Sequence, residues 1–534
     1  MRLLTRHLIL LFAAATVVTS PAAAAEKPPL IAAVKADDAA AVRALANPAN
    51  INISEPDGTT ALAWAVYLGK TEFATLLVTN GADLNKANGY GVTPLSIACE
   101  NANAPMVALL LKAGADPNKA RLTGETPLMT CISARSAAAV SALITAGADS
   151  NLVEHREGQS ALMWASATRQ PAVVQALLAC GADVHLRSKL LPVPEPFIVE
   201  RKVNFYGRNF PPTTRFRKTT GGFTALLFAV QQGDIDTTKA LLTGGAKIDD
   251  GTDEDGSALV IAIASGHQDL ALWLIDQGAN PNAHDGNGIT ALHYSLHMGL
   301  QNLAGMREAP SDRFGWIRPN LPVVMKALLA KGADLNARVQ HCWPFVVNDF
   351  IGRTTDETHQ VDMTGATPFL LAAASGDAAS MRILKEAGAD VNATNIEGVN
   401  AVVLAAGLGT ELKKGNEQRY LEAARVAVEY GVDINGKHQQ DGRTALHAAV
   451  VQGWTEMIRF LVKAGVKIDA KDMWGQTPLT IAMGDPEDVL YRPYPGGNKE
   501  DRFRIPKPQP KIAELLLSLG HPPFTGKYKD KSGR

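Results

Sequence analysis

Apolar and polar positions along this chain recur with a period of about 33 residues. Stretches that begin at Gly58, Gly91 and Gly124 align without gaps, and their starts lie 33 residues apart. Each stretch contains a short apolar segment, a break, and a second segment with paired apolar positions such as Leu76-Leu77. A fixed period of this length is typical of a repeat protein, in which each unit buries its apolar face against its neighbours.

The residues that open and close each copy predict a pair of helices. A threonine hydroxyl can accept a hydrogen bond from the first helical turn, and a following proline has no amide that needs a partner. Such pairs are Thr93-Pro94, Thr126-Pro127, Thr367-Pro368 and Thr477-Pro478. The second helix is predicted to end at a glycine in the left-handed conformation. These glycines are Gly81, Gly114, Gly147, Gly181, Gly332 and Gly388. The Asp and Asn that follow are predicted to begin a turn by bonding their own backbone.

Eleven copies are found, and a degenerate copy precedes them. They start at Gly58, Gly91, Gly124, Gly158, Gly222, Asp255, Gly288, Gly365, Gly398, Gly442 and Gly475. The predicted fold is an all-α solenoid over residues 28–523, with an N-terminal cap near Leu30 to Leu45. We predict a C-terminal cap helix from Ile512 to Leu519 and a flexible tail over 524–534.

The repeat resembles the ankyrin repeat, whose signature is Gly-x-Thr-Pro-Leu-His-x-Ala-Ala, then a second helix and Gly-Ala-Asp-x-Asn. The best matches are GRTALHAA from Gly442 and GQTPL from Gly475. The resemblance implies a concave groove lined by the first helices, which holds a protein partner. It also implies that the signature histidines, His293 and His447, bond within and between repeats. The chain departs from the signature at Asn101-Ala102, which replace the loop glycine, and at Lys247 and Lys467, which replace Asp.

Five insertions interrupt the pattern, at residues 191–221, 300–320, 342–364, 410–419 and 487–508. The first and third lengthen two fingers, the turns that join one repeat to the next, and they flank three repeats on the same edge. We hypothesise that they fold back and narrow the groove; the alternative is that they only cover the finger edge. The candidate partner contacts in the groove and the long fingers are Trp64, Tyr67, Trp164, Tyr294, His297, Arg208, Arg215, Trp343 and Phe345.

The predicted function is non-enzymatic protein binding through the groove and the extended fingers. The alternative is a small-ligand or enzymatic site in a cleft between the insertions 191–221 and 342–364. No phosphate-binding, dinucleotide-binding or paired-cysteine motif is present in the sequence, so we predict no catalytic residues and no cofactor.

A metal site is considered for His293 and His297, which share one helix face at a spacing of four residues. Tyr294 stands where a metalloprotease helix carries glutamate, and His293 is the signature histidine. Further ligands would have to come from His341, Cys342, Asp349, Asp356 or His359. We therefore predict no metal.

Charge argues against nucleic acid as a partner. The 534 residues include 52 basic and 53 acidic ones, a formal net charge of −1. Basic residues do alternate with aromatics in the 191–221 insertion, a combination that can bind single strands. These residues are Arg201, Lys202, Arg208, Arg215, Arg217 and Lys218. Because the chain is expected to be exported, we interpret them as protein-interface residues.

The N-terminus predicts export from a bacterial-type cell. Arg2 and Arg6 precede an apolar stretch from Leu8 to Val18, and Ala23-Ala24-Ala25 stand directly before Glu26. This order is that of a signal peptide over residues 1–25. A retained anchor is the alternative, but about eleven apolar residues fall short of the roughly 20 that span a bilayer. We expect a periplasmic or secreted monomer without membrane insertion.

The cysteines are predicted to remain unlinked. Cys99 and Cys131 lie on the first helices of adjacent repeats, and packed helices stand roughly 10 Å apart. A disulfide requires Cα atoms within about 7 Å. Cys99, Cys131 and Cys180 are therefore predicted to be small core residues.

Overall fold

A computed structural model describes residues 28–192, 219–296, 321–341, 361, 363–408, 417–484, 492–493, 502–503 and 508–524. The predicted signal peptide, most of the five predicted insertions and the tail beyond residue 524 lie outside the described residues. The chain divides into two compact units, Met1–Asp149 and Ser150–Arg534.

Over its described residues, 28–149, the first unit consists of four consecutive helix pairs. Its helices are α1 (Pro29–Lys35), α2 (Ala39–Leu45), α3 (Ala61–Tyr67), α4 (Thr71–Thr79), α5 (Pro94–Glu100), α6 (Ala104–Lys112), α7 (Pro127–Ser133) and α8 (Ala137–Thr145). First helices pack on first helices and second helices on second helices, as in α3 with α5 and α6 with α8.

The second unit repeats this arrangement. Its helices up to the third insertion are α9 (Ala161–Ala167), α10 (Pro171–Ala179), α11 (Ala225–Gln231), α12 (Ile235–Thr243), α13 (Ala258–Ala264), α14 (Gln268–Asp276), α15 (Ala291–Tyr294) and α16 (Pro322–Ala330). Those beyond it are α17 (Pro368–Ala374), α18 (Ala378–Glu386), α19 (Ala401–Ala405), α20 (Glu417–Glu429), α21 (Ala445–Gln452), α22 (Thr455–Lys463), α23 (Pro478–Met483) and α24 (Pro510–Ser518). Helix α20 begins inside the predicted insertion 410–419.

Short strands are a feature that the all-α prediction lacks. Three antiparallel two-stranded sheets occur in the second unit among the described residues. They pair β1 (Leu190–Pro192) with β2 (Thr219–Gly221), β3 (Gly251–Thr252) with β4 (Gly256–Ser257), and β5 (Arg492–Pro493) with β6 (Arg502–Phe503). Each sheet pairs the segment that enters a connection with the segment that leaves it. This pairing satisfies backbone amides and carbonyls of both segments.

The helix boundaries follow the predicted chemistry. The hydroxyls of Thr93, Thr126, Thr367 and Thr477 each accept a hydrogen bond from the backbone of the first helical turn. The glycines predicted to end second helices have positive φ, for example 85° at Gly81 and 101° at Gly388. At the loop between helices, Ala102 adopts φ 50° where repeats such as that of Gly69 carry glycine, and Asp37, Arg135 and Arg169 also adopt positive φ at this loop.

A hydrogen-bond ladder joins neighbouring repeats within each unit. The Asp83 amide donates to Asn52 Oδ1 of the preceding repeat at 2.7 Å, and the Asp116 amide donates to Asn85 Oδ1 at 2.8 Å. The second unit continues the pattern, since the Lys467 backbone amide donates to Asn435 Oδ1 at 2.7 Å. The prediction that Asp bonds its own turn is confirmed, since Asp83 Oδ1 accepts from the Asn85 amide. The prediction for Asn is wrong, because its side chain bonds the next repeat.

Cys99 and Cys131 form a disulfide, which corrects the prediction of unlinked core thiols. Their Cα atoms lie 4.5 Å apart. The distance of roughly 10 Å applies to helix axes, whereas Cα atoms lie about 2.3 Å from each axis, so facing Cα atoms approach to about 5 Å. Cys180 is exposed and free, so its assignment to the core is also wrong.

None of the described helices is both long and apolar enough to cross a membrane.

The disulfide should stabilise the second and third repeats of the array. Replacing both Cys99 and Cys131 by alanine should lower the free energy of opening over residues 94–133 by about 3 kcal/mol, because the bridge restricts the unfolded chain. Hydrogen exchange of the full chain measures this change. Cys180→Ala is the matched control and should have no effect. Recovery of Cys99 and Cys131 in separate unlinked peptides before reduction would contradict the bridge.

Candidate functional site

The first helices of the first unit leave part of their surface open. The open positions lie at the C-terminal end of each helix, where Tyr67 is 46% exposed and the following Leu68 is 40% exposed. Glu100 and Asn101 occupy the same positions one repeat later and are also exposed. Exposed aromatic and aliphatic side chains beside polar ones are typical of a protein-binding surface.

Trp64 is fixed in place beside Tyr67. Its Nε1 donates to Glu55 Oε2 at 2.8 Å, and Lys35 Nζ lies 3.8 Å from the ring centroid. Lys35 also pairs with Glu55 at 2.6 Å. The Tyr67 ring contacts the Trp64 ring edge-on, with centroids 5.6 Å apart. Because Trp64 is bonded and half-buried, Tyr67 is the more accessible of the two predicted contacts.

In the second unit, the exposure of the residues at the ends of the first helices differs from repeat to repeat. Gln231, at the end of α11, is exposed. At the end of α17, by contrast, Ala374 is 1% exposed and Ser375 fully buried, and Leu408 after α19 is 5% exposed. The chain itself therefore covers the inner surface at these two repeats, and a partner cannot reach it there without displacing protein atoms.

Two predicted contacts of the second unit, Trp164 and Tyr294, are half-buried on first helices. The Tyr294 hydroxyl donates to Asp285 Oδ2 at 2.7 Å, so the ring is tied to its own finger as Trp64 is to Glu55. Burial raises the pKa of Asp285. Glu154, which stands near the corresponding place before Trp164, accepts backbone hydrogen bonds of its own finger instead.

Five of the nine predicted contacts lie outside the described residues. They are His297, Arg208, Arg215, Trp343 and Phe345. The cleft between the two long insertions falls on the same segments, so its residues remain predictions.

The signature histidines are structural, as the resemblance implied. His447 Nδ1 accepts a hydrogen bond from the Thr444 amide at 3.2 Å, and its Nε2 contacts the Gln476 carbonyl of the next repeat at 3.1 Å. His293 Nδ1 accepts likewise from the Thr290 amide. Burial lowers the pKa of both histidines to about 4. Within the described parts of the chain, no three His, Cys, Asp or Glu residues are arranged to hold a metal ion.

The two long fingers are paired at their roots. In the first, β1 pairs with β2, and the Ser188 amide donates to the Phe223 carbonyl at 2.9 Å. In the other, the Val339 amide donates to the Ala366 carbonyl at 3.0 Å, and the Gly365 amide donates to the Val339 carbonyl at 2.7 Å. Each insertion therefore leaves and re-enters the array at a closed base.

A buried ionic cluster joins three successive fingers near the C-terminal end of the array. It consists of Glu397, His438, Asp441, Arg443 and Asp472, each at most 7% exposed. His438 Nδ1 contacts Asp441 Oδ1 at 2.6 Å, and its Nε2 lies 3.2 Å from Glu397 Oε2. No sequence pattern predicted this cluster, although the finger Lys-His-Gln-Gln-Asp at residues 437–441 is unusually polar.

The cluster keeps His438 protonated at neutral pH. Burial acts to lower the pKa of His438, but hydrogen bonds and ion pairs with Asp441 and Glu397 outweigh it and raise the pKa to about 9. Burial also raises the pKa of Asp472, against the effect of nearby Arg443. The positive imidazolium thus compensates carboxylates that would otherwise be buried without enough counter-charge.

The raised pKa of His438 predicts a pH dependence of stability. Because the folded pKa lies above the unfolded value near 6.5, its contribution is complete below about pH 6.5 and is lost as pH rises through 9. The loss should reach at most about 3 kcal/mol. Urea unfolding at pH 6.5 and 9.5 measures this loss of unfolding free energy. The control is His438→Gln, in which the difference between the two pH values should be smaller. Equal pH dependence in both proteins would contradict the prediction.

Comparison with known proteins agrees with the repeat pattern. The family described as "Ankyrin repeats (3 copies)" matches residues 30–121, 116–188, 209–285, 226–306 and 412–491, and the family "Ankyrin repeat" matches 364–396. The matched stretches cover more than half of the chain. Ankyrin repeats are in general non-enzymatic modules of protein–protein interaction.

Similar proteins share the repeats rather than their full length. The E3 ubiquitin-protein ligase KEG of Arabidopsis thaliana is 24% identical over 278 residues, 49% of this chain and 16% of that protein. The B-cell lymphoma 3 protein homolog of Mus musculus is 23% identical over 265 residues, 49% of this chain and 48% of that protein. Ankyrin repeat and SOCS box protein 3 of Bos taurus is 38% identical over 112 residues, 21% of this chain and 19% of that protein. The chain thus spans less than half the length of each of these relatives. With its helix pairs, capping residues and glycine-terminated second helices, the chain belongs to the ankyrin-repeat family.

Proposed function

We propose that this protein is a non-enzymatic binding module that holds a protein partner on the open part of its inner, first-helix surface. The observation that carries the proposal is the exposed Tyr67–Leu68 pair beside the fixed Trp64 ring. An aromatic anchor that is already held in place loses little conformational entropy on binding. Aromatic side chains are also enriched among the residues that contribute most to binding energy.

The finger tips of the same unit supply a rim for this surface. Tyr90 is 73% and Leu122 70% exposed, and the Leu122 amide donates to the Tyr90 carbonyl, so the two tips are adjacent. Contacts from the long fingers, including Arg208, Arg215, Trp343 and Phe345, remain part of the proposal. The buried inner surface at α17 and α19 argues against binding at those repeats.

A photo-crosslinking amino acid at Tyr67 tests the binding surface. Benzoylphenylalanine at this position should capture a specific protein from cells that produce the chain, because Tyr67 would face the partner. The matched control is the same amino acid at Thr75, which is exposed on the second helix of the same repeat. Capture of the same proteins in the same yield at both positions, or at neither, would contradict the proposal.

We further propose that the chain is exported to an oxidising compartment, the periplasm or the exterior. The basic start, apolar stretch and alanines of residues 1–25 support this, and so does the Cys99–Cys131 bridge, since disulfides are rare in reducing compartments.

The mature N-terminus tests export. In chain isolated from the cells that produce it, the first peptide should begin at Glu26, and Cys99 should already be linked to Cys131 when thiols are alkylated at lysis. Residues 1–25 retained together with free thiols at both cysteines would contradict export.

A further inference from the structure

Arg187 and Arg338 occupy the same place in two different repeats. Each lies six residues after the glycine that ends a second helix, Gly181 or Gly332. These are the two repeats that the long finger insertions follow. The other repeats with this glycine carry different residues at the position: Ala87, Ala120, Val153, Gly251, His284, Thr394, Lys437 and Lys471.

The two arginines make the same contacts. Arg187 Nη1 donates to the carbonyl of Gly222, which opens the next repeat, at 2.8 Å and to the carbonyl of Gly251 at 3.0 Å. Arg338 Nη1 donates to the carbonyls of Gly365 and Thr394, both at 2.8 Å. Gly365 opens its repeat as Gly222 does, and Thr394 lies in the following finger at the position of Gly251. Each arginine therefore bridges the end of its insertion to the next finger.

The physical need for such a bridge comes from the insertions. In a short finger the turn is closed by local hydrogen bonds, such as those from the Tyr90 and Val92 amides to Asn88 Oδ1. An insertion of more than twenty residues separates the two sides of the turn in sequence. Each root is therefore held by backbone pairing across it, and each arginine adds a bond from that root to the next finger. The two N–H groups of Nη1 bond two carbonyls at once, and the rigid planar guanidinium holds them in fixed directions, which a lysine ammonium on a flexible chain does less well.

The first bridge has an additional anchor. Arg187 Nη2 donates to Asp250 Oδ1, and the Thr224 hydroxyl donates to Asp250 Oδ2 at 2.6 Å. Thr224 is the residue before α11, so the bridge reaches the start of the helix that follows the insertion. Both arginines are exposed themselves, so they do not act as core residues.

We propose that Arg187 and Arg338 are positioning residues that fix the exit of each long finger against the next finger and thereby set how a partner meets this edge. The partner role rests on the proposed function, whereas the bridging role does not. A pair of incidental surface contacts would not repeat at the same position, with the same two kinds of acceptor, only before the two long fingers.

Amide hydrogen exchange of the full chain tests the bridging role, and each variant is the control of the other. Arg187→Ala should speed exchange at Ser188 and Phe223 roughly tenfold, because the root opens more often, and should leave Val339 and Gly365 unchanged. Arg338→Ala should speed exchange at Val339 and Gly365 and should leave Ser188 and Phe223 unchanged. Arg187→Lys should also speed exchange at Ser188 and Phe223, since a single ammonium cannot hold the two carbonyls and Asp250 in the directions that Nη1 and Nη2 fix. Unchanged exchange at the matching root, or equal acceleration at both roots, would overturn the proposal.

Photo-crosslinking tests the partner role separately. Benzoylphenylalanine at Leu190, an exposed residue of the first root, should capture the protein that is captured at Tyr67. Adding Arg187→Ala should lower the yield at Leu190 several-fold and leave the yield at Tyr67 within about twofold. Capture at Tyr67 with none at Leu190 would overturn the positioning role and leave the proposed function intact. The same holds for a crosslinking yield at Leu190 that Arg187→Ala does not change. No capture at either position would refute the proposed function and the partner role together, while the exchange result would still decide the bridging role.

Discussion

The structure depends on contact between neighbouring repeats, because no helix pair in this chain can bury its apolar surface alone. Small residues on the first helices allow close approach, so close that Cys99 and Cys131 form a covalent bond. After the second helices, Asn side chains accept amides of the next repeat, as Asn85 does from Asp116, and Asp249 does the same at an Asn position. The donor is a backbone amide, so the Asp of the signature can be replaced. Lys467 keeps the bond to Asn435 for this reason.

The proposed binding surface is the part of the first helices that stacking leaves uncovered. Within the first unit, packing buries the apolar face of each first helix but leaves its last residues accessible, and Tyr67 and Leu68 occupy these positions. Within the second unit the same positions become buried at α17 and α19. The fold therefore provides a repeated surface, and the local sequence decides which repeats present it. Within the second unit, the closed roots of the two long fingers form a separate element at the finger edge.

Much of the fold could be predicted because its causes are local. A Thr-Pro pair caps the helix that it begins, and Gly81 or Gly388 ends a helix through its own left-handed φ. Contacts that depend on distance in space were missed. Arg338 bonds Thr394, 56 residues away, and Gln440 of the ionic finger bonds Glu397, 43 residues away. The disulfide was missed for a related reason, since helix-axis spacing does not give the separation of facing Cα atoms. For the candidate site, the repeat pattern predicted that Trp64 and Tyr294 lie on first helices, which is where the structure has them. Their bonds to their own fingers are indicated by no motif.

The central claim is that the inner surface is open at Tyr67–Leu68 and covered at α17 and α19. Hydroxyl-radical footprinting of the free chain tests it most directly when residues of one type are compared: Leu68, Leu371 and Leu408. Leu68 is 40% exposed, Leu371 is fully buried and Leu408 is 5% exposed, so Leu68 should be oxidised many times faster than the other two. Oxidation of Leu371 and Leu408 at a rate similar to that of Leu68 would show that the surface is open along its length and would contradict the account.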